Sequence, residues 1–265
     1  MKLAFCFLSY GDIVQSALWK LFFKDADPST YTIVIHMSRG PSVSALEGAN
    51  VIPTQPTKWG QFNLVEAQQA LFERAIDDPA VQKCVLLSGD SVPLYDFTTI
   101  YSQLMSDDKG YLAYEVPSNR GHISREGQVR KKAWPNDRPW KWYTASQWSV
   151  LHRSHVTLLR VNWALIQSVF NVPNFIADEH MYPVFFNGFN QLSSFHTTPI
   201  TWVCWSSIRT RCKHHHRSTP HTYHTPTLTP ATLKKIYNSG CLFMRKLCVT
   251  VDAATLIQLA SKPTV

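Results

Sequence analysis

The sequence predicts an α/β fold built on a Rossmann-like, mostly parallel central sheet with helices on both faces. Three observations carry that prediction. The chain opens on an uninterrupted apolar run, Leu3 to Leu8, the pattern of a parallel strand buried on both sides. Strand-like and helix-like segments then alternate through residues 1–105. A content of 45% hydrophobic and 17% charged residues is that of a globular chain with a sizeable core.

After the first strand, Asp12 is placed to cap a helix whose apolar residues Ile13, Ala17, Leu18, Leu21 and Phe22 recur at helical spacing. Tyr31 to His36 is rich in β-branched residues and reads as the second strand, with Val51-Ile52 a short third. Asn63, with Glu66 three residues on, resembles a capping box and starts a helix through Ile76. Val85-Leu86-Leu87 is a buried strand, and Asp96 caps the next helix. Ligands of such sheets bind beyond the carboxyl ends of the strands. The loops at Ser9, at His36 to Arg39 and at Ser88 to Ser91 are therefore the ones expected to meet a ligand.

The second half is less regular. Arg120 to Tyr143 is basic and aromatic, and Pro135 and Pro139 interrupt it. Gln147 to His152 reads as a strand and Ser154 to Phe170 as one helix. A further helix is expected to start at Asp178 as its N-cap. Arg209 to Pro230 is polar and His-rich and reads as an exposed loop. Thr229-Pro230 begins a helix by a cap-then-proline start, and a last helix is expected from Asp252.

At 265 residues, with no convincing linker, the chain reads as one domain spanning 1–265. A formal charge of +8 and a pI near 9.2 favour anionic partners without naming one. The six cysteines follow no CxxC spacing; Cys6 and Cys84 sit in apolar runs and read as reduced core residues. The first apolar run is short for a secretory leader, and no run approaches the roughly 20 residues of a membrane span. A soluble, cytoplasmic protein is the expectation. GxGxxG, P-loop and GxSxG motifs do not occur in the sequence, which argues against dinucleotide enzymes, P-loop NTPases and serine hydrolases.

Three features could carry chemistry. Glu179 could accept the proton of an attacking hydroxyl, or simply complement a helix N-terminus. By spacing alone the second role is the commoner. Arg245-Lys246 could offset the charge of a departing diphosphate, or form a solvated strand edge. Asp90 follows a core strand and could hold a divalent metal, but no second acid stands two positions away and a turn aspartate is as good a reading. Trp134, Trp140, Trp142 and Trp148 crowd one region, and flat rings suit the C–H faces of sugars, although most tryptophans belong to cores. His214, His215, His216, His221 and His224 with Cys212 match no zinc spacing.

In this order the pieces resemble the core-2/I-branching glycosyltransferase family, which includes peptide O-xylosyltransferases and plant members. The stretches that carry the resemblance are Lys2 to Leu8, Tyr31 to His36, Lys58-Trp59-Gly60, Val65-Glu66-Ala67 and Leu86 to Leu94. Ala145 to Arg153, Asp178-Glu179-His180, Trp202 to Trp205 and Cys241 to Lys246 complete the set.

The resemblance implies a GT-A-type fold, an inverting mechanism and a UDP-sugar donor, xylose or N-acetylglucosamine first. It implies catalysis without a metal or other cofactor, basic residues serving the diphosphate. Its general base falls on Glu179, its diphosphate-binding lysine on Lys246, an acceptor-contacting aromatic on Trp205 and an acceptor-binding acid on Glu115. Residues 1–105 become the nucleotide-sugar half and 106–265 the acceptor and catalytic half. Ser9, His36, Ser38, Ser88, Asp90, Arg245 and Lys246 are then expected on the donor side. Glu115, Trp142, Gln147, Trp148 and Trp205 are expected on the side of a glycan or glycoprotein acceptor. The chain departs from the family pattern at Ser38, where an acid is usual, and at Ala145, where glycine is usual. It also has no arginine near Tyr223, a place Arg245 could fill. Family members of eukaryotes carry a membrane anchor and lumenal disulfides, and a compact enzyme without either is expected here, with no nucleic-acid partner. The alternatives are a non-catalytic glycan- or nucleic-acid-binding protein using region 120–148, and a glycoside hydrolase, which would need two facing carboxylates.

Overall fold

The computed structural model describes residues 1–40, 46–205, 220–248 and 250–251. Its centre is a seven-stranded sheet. Strands β1 (Lys2–Ser9), β2 (Tyr31–Met37) and β3 (Asn50–Val51) precede β4 (Val81–Ser88), with helices α1 (Ser16–Phe23) and α2 (Asn63–Ile76) in the crossovers. Strand β5 (Val92–Pro93) and helix α3 (Phe97–Leu104) follow, then β6 (Gly110–Tyr111), β7 (Tyr114–Glu115) and the short helix α4 (Arg120–Arg125). Next come β8 (Thr144–Ala145), β9 (Val150–His152), α5 (Arg153–Val161), α6 (Trp163–Phe170) and α7 (Met181–Gly188). The chain continues through β10 (Phe195–His196), β11 (Thr201–Val203), α8 (Pro230–Tyr237) and β12 (Phe243–Arg245).

The order across the sheet is β10-β6-β9-β4-β1-β2-β3. Strands β3, β2, β1 and β4 are parallel, while β9 runs antiparallel to both β4 and β6. The sheet is thus mixed but mostly parallel, as expected. Alternation along β1 divides the core into two layers. Ala4, Cys6 and Leu8 pack with Leu71, Phe72, Val156, Phe185 and their neighbours from α2, α5 and α7. Leu3, Phe5 and Phe7 pack with Trp19, Phe23, Ile100 and Leu104 from α1 and α3. A third cluster joins Leu94, Leu233, Ile236 and Met244 around a small sheet ordered β11-β12-β5. Cys6 and Cys84 are fully buried thiols inside the main core.

Several local expectations need correction. Asp12 does not cap α1, which starts at Ser16 with no side-chain cap. Its buried residues are Leu18, Trp19 and Phe23, and Leu21 is exposed. Asn63 is the first residue of α2 rather than its cap. Its amide instead accepts from the Lys58 amide (3.1 Å) and donates to the Pro56 carbonyl (2.9 Å), tying down the preceding loop. The third strand begins one residue early, at Asn50, and the strand expected over 147–152 forms only from Val150. The helix expected over 154–170 is two, divided at Asn162. Asp178 lies in a buried 3-10 turn, Ala177–Glu179, and α7 begins after it. By contrast, Asp96 caps α3 through the Thr99 amide (2.8 Å) and Thr229 caps α8 through the Thr232 amide (3.2 Å).

The basic aromatic stretch largely satisfies itself. Trp134, Trp142 and Trp148 are buried. Lys131 lies over the Trp140 ring at 5.4 Å, and Arg138 over Phe189 at 3.9 Å. Residues 209–219 of the expected loop, with Cys212 and His214 to His216, lie outside the described residues, as does the helix expected from Asp252. Among the described residues no helix is long and apolar enough to cross a membrane.

Candidate active site

Parallel strands that end together leave their following loops on one rim of the sheet, and a cleft of about 1430 Å³ opens there. Ser9 closes β1, Ser38 follows β2, and Ser88 closes β4; all three line the cleft, with Asp90 just beyond. The small sheet brings the late chain to the same place. Pairing of Met244 with Val92 in β5 and a bond from the Leu247 amide to the Asp90 carbonyl (3.2 Å) seat Arg245 and Lys246 beside Asp90.

The result is a polar knot with two cations. Arg245 Nε donates to Ser88 Oγ (3.0 Å) and Asp90 Oδ1 (3.2 Å), and Lys246 Nζ lies 3.8 Å from Asp90 Oδ2. The Arg245 guanidinium also lies over the Trp148 ring, 4.4 Å from its centroid. Burial draws the Lys246 pKa down against the opposing pull of Asp90, with Arg245 adding to the lowering. One carboxylate facing two cations leaves an excess of positive charge at this corner of the cleft.

Glu179 reaches the cleft through a tight turn. Ile176 holds a left-handed conformation (φ 60°), costly for a β-branched residue by about 1–2 kcal/mol. Its amide donates to the Gly60 carbonyl at 3.3 Å, and Gly60 itself has φ +75°. The 3-10 turn that follows buries Asp178 and leaves Glu179 partly exposed on the wall. Arg125 Nη1 lies 3.1 Å from Glu179 Oε2, and His122 Nδ1 lies 3.7 Å from the same oxygen.

Behind this pair, His180 is fully buried and stacked on Trp142, its centroid 4.6 Å away. Its Nδ1 donates to the Tyr143 carbonyl (2.8 Å), which leaves Nε2 as a bare acceptor facing His122 and Arg125. Burial lowers the His180 pKa to about 4. Asp178 moves the other way, to about 7, because burial and then the Glu179 charge oppose its ionisation. Asp178 Oδ1 has no hydrogen-bond partner among the described residues.

Most of the residues singled out in the sequence meet in this cleft: Glu179, Ser9, Ser38, Ser88, Asp90, Arg245, Lys246, Glu115, Gln147, Trp148 and Trp205. Two, expected in contact with a ligand, do not line it. His36 points into the fully buried interior below the rim, where its Nε2 accepts from the Gln55 amide (3.1 Å). Trp142 backs the site, donating to the His122 carbonyl (2.8 Å) while stacked on His180. Sequence reasoning missed Arg125, His122, Asp12 and Trp59 on the cleft wall. Arg125 lies in a run of basic residues that no periodicity divides. Trp59 was visible only as part of Lys58-Trp59-Gly60, yet it is 69% exposed, as Trp205 is 63% exposed.

Comparison with known proteins adds to this geometry. Glycosyltransferase BC10 of Oryza sativa subsp. japonica is 24% identical over 165 residues, covering 60% of this chain and 40% of its own length. The chain therefore spans well under half of that curated relative. Among solved structures, the apo form of WbbM, titled a bifunctional glycosyltransferase, aligns over 99% of this chain and 50% of its own. Its TM-score is 0.48 at 12% identity. The crystal structure of A197 from STIV aligns over 59% of this chain and 68% of its own, with a TM-score of 0.30 at 13% identity. The family model for Core-2/I-Branching enzyme matches residues 3–237, which include Ser9, Ser88 and Glu179 of the cleft and end with α8, before Arg245 and Lys246. The chain belongs to the Core-2/I-branching enzyme family.

Proposed function

We propose that the chain is an inverting glycosyltransferase that moves a sugar from a UDP-sugar to a hydroxyl of a glycan or glycoprotein acceptor. Xylose and N-acetylglucosamine are the first donors to test. The observation that carries this reading is a cleft, in a chain of this family, that holds one partly exposed carboxylate, Glu179, and the cation pair Arg245-Lys246.

Inversion needs a single displacement. The acceptor oxygen forms its bond to the anomeric carbon as the bond to the diphosphate oxygen breaks, and the hydroxyl proton passes to the Glu179 carboxylate. Negative charge grows on the departing diphosphate. Arg245 and Lys246 would offset it. The proposed reaction requires no metal: the Asp90 carboxylate, where an ion would bind, already engages both cations. Trp205 and Trp59 offer exposed ring faces for sugar, and Glu115 and Gln147 offer polar edges. The reading of a non-catalytic binder loses support because the tryptophans of region 120–148 are largely spent on the core.

Glu179→Gln keeps shape and hydrogen bonding but cannot take a proton. UDP affinity by calorimetry is expected to change less than twofold, while transfer falls by roughly 10²–10⁴. Transfer near the wild-type rate in that variant would remove Glu179 from the mechanism.

A further inference from the structure

Three lone pairs converge beside the cleft. His122 Nδ1, His180 Nε2 and a Glu179 carboxylate oxygen all lie within 4.8 Å of one another. Two nitrogens bound to one tetrahedral zinc at 2.0–2.1 Å stand about 3.3–3.4 Å apart. His122 Nδ1 is 3.3 Å from His180 Nε2 and 3.7 Å from Glu179 Oε2, two edges close to that spacing. The outer contacts suit a metal too. His180 gives its other ring N–H to the Tyr143 carbonyl, an arrangement that orients metal-bound imidazoles. Two imidazoles and one carboxylate, with a fourth position open to the cleft, form a set that zinc accepts and magnesium or calcium does not favour.

The position is already taken by a protein cation. Arg125 Nη1 lies 3.0 Å from His122 Nδ1, 3.1 Å from Glu179 Oε2 and 3.4 Å from His180 Nε2, so one guanidinium nitrogen faces all three acceptors. The geometry points to a transition-metal site at His122, Glu179 and His180 that Arg125 guards, and that zinc opens by displacing the guanidinium. His122 and Glu179 both line the cleft, so an ion has a path from solvent, while His180 completes the set from beneath. Metal binding stands on this geometry alone. Its consequence rests on the proposed function: a zinc-bound Glu179 cannot accept a proton, so zinc is an inhibitor at this site rather than a cofactor.

The test uses the full chain carrying His214→Ala, His215→Ala and His216→Ala, so that three consecutive imidazoles do not compete for the added cobalt or zinc. Cobalt(II) is titrated first and followed by its visible absorption, and zinc is then added in competition. One site per chain is expected. His122→Ala should weaken cobalt binding at least tenfold. Arg125→Met should tighten it at least tenfold, an effect that general loss of structure does not produce. Unchanged binding in His122→Ala, weaker binding in Arg125→Met, or no cobalt site at all would overturn the proposal. Transfer assays keep the two readings apart. Zinc inhibition reversed by EDTA supports both, whereas cobalt binding in a chain that never transfers sugar leaves the metal site standing and removes the proposed function.

Discussion

A missing methyl group sets the distance between two walls of the cleft. A Cβ built on Gly89 would lie 2.0 Å from Ser9 Oγ and 2.9 Å from Ser9 Cβ, so β1 and the loop after β4 meet only because residue 89 has no side chain. Gly89→Ala is expected to displace Ser9 and weaken UDP binding at least fivefold. Adding Ser9→Gly should recover part of that loss, since the two nearest atoms are then gone and only the Asp12 carbonyl, at 3.3 Å, stays close. Independent, additive effects in calorimetric titrations would show that the contact does not couple them. Asp90 lies next in the chain. Because Arg245 and Lys246 hold its carboxylate, transfer is expected to survive EDTA within about twofold, whereas strict dependence on added manganese would return Asp90 to the role of a metal ligand. At this scale the sequence was most informative where a residue type has one use. Serines at strand ends were expected at a ligand from their positions, whereas the late cation pair was assigned only through the resemblance to the family. Asp178 was misread because a cap and a buried acid look alike in sequence, and only tertiary burial separates them. Arg125 was missed because its partner is 54 residues away in the chain.

Among elements, α5 shows how a polar residue can be a core residue. His155 is buried and accepts from the His152 amide (3.1 Å) through Nδ1, with its Nε2 2.7 Å from Ser194 Oγ. It also stacks on Phe195 at 4.1 Å. Burial lowers its pKa to about 3, with the charges of His152 and Lys83 acting in the same direction. An unfolded histidine takes its proton near pH 6.5. The unfolded chain therefore binds more protons between about pH 6.5 and 3, and stability present above that window is lost as the pH falls through it. Urea melts should show about 1.4 kcal/mol lost per pH unit from this group between pH 6 and 4, a slope that His155→Gln removes. An unchanged slope in that variant would assign the acid sensitivity to other titrating groups. Elements with one dominant signal were legible: the apolar run of β1, the capped starts of α3 and α8. Those decided by packing were not. Residues 154–170 keep an apolar rhythm through Asn162, yet the chain turns there because α5 and α6 cover different parts of the core.

For the molecule as a whole, the two halves of the sequence are not two halves in space. β9, β6 and β10 complete the sheet that β1 to β4 begin, and β12 adds to β5 from the far end of the chain. Gln15 reaches the Cys248 carbonyl at 2.7 Å across the same seam. A fragment of residues 1–105 would leave the β4 edge and the side of α2 that packs on α5 uncovered. It is expected to show no cooperative urea transition by circular dichroism; a sharp, reversible transition would mark it as an autonomous unit. The general class of sheet was legible from alternation along the first third. The closing of the small sheet was not, since two- and three-residue strands carry no pattern of their own.

The reversed strand has a consequence for how such a molecule can diversify. β6 runs toward the cleft rim and β9 runs away from it, so residues 112–149 leave the sheet and return to it on the same side. That stretch is a single excursion anchored at two neighbouring strands, and its length can change without shifting any strand in register. It contains Glu115, Arg125, Gln147 and Trp148. A transplant of this excursion between relatives would exchange one wall of the cleft as a cassette, leaving the serine-lined strand ends and the cation pair in place.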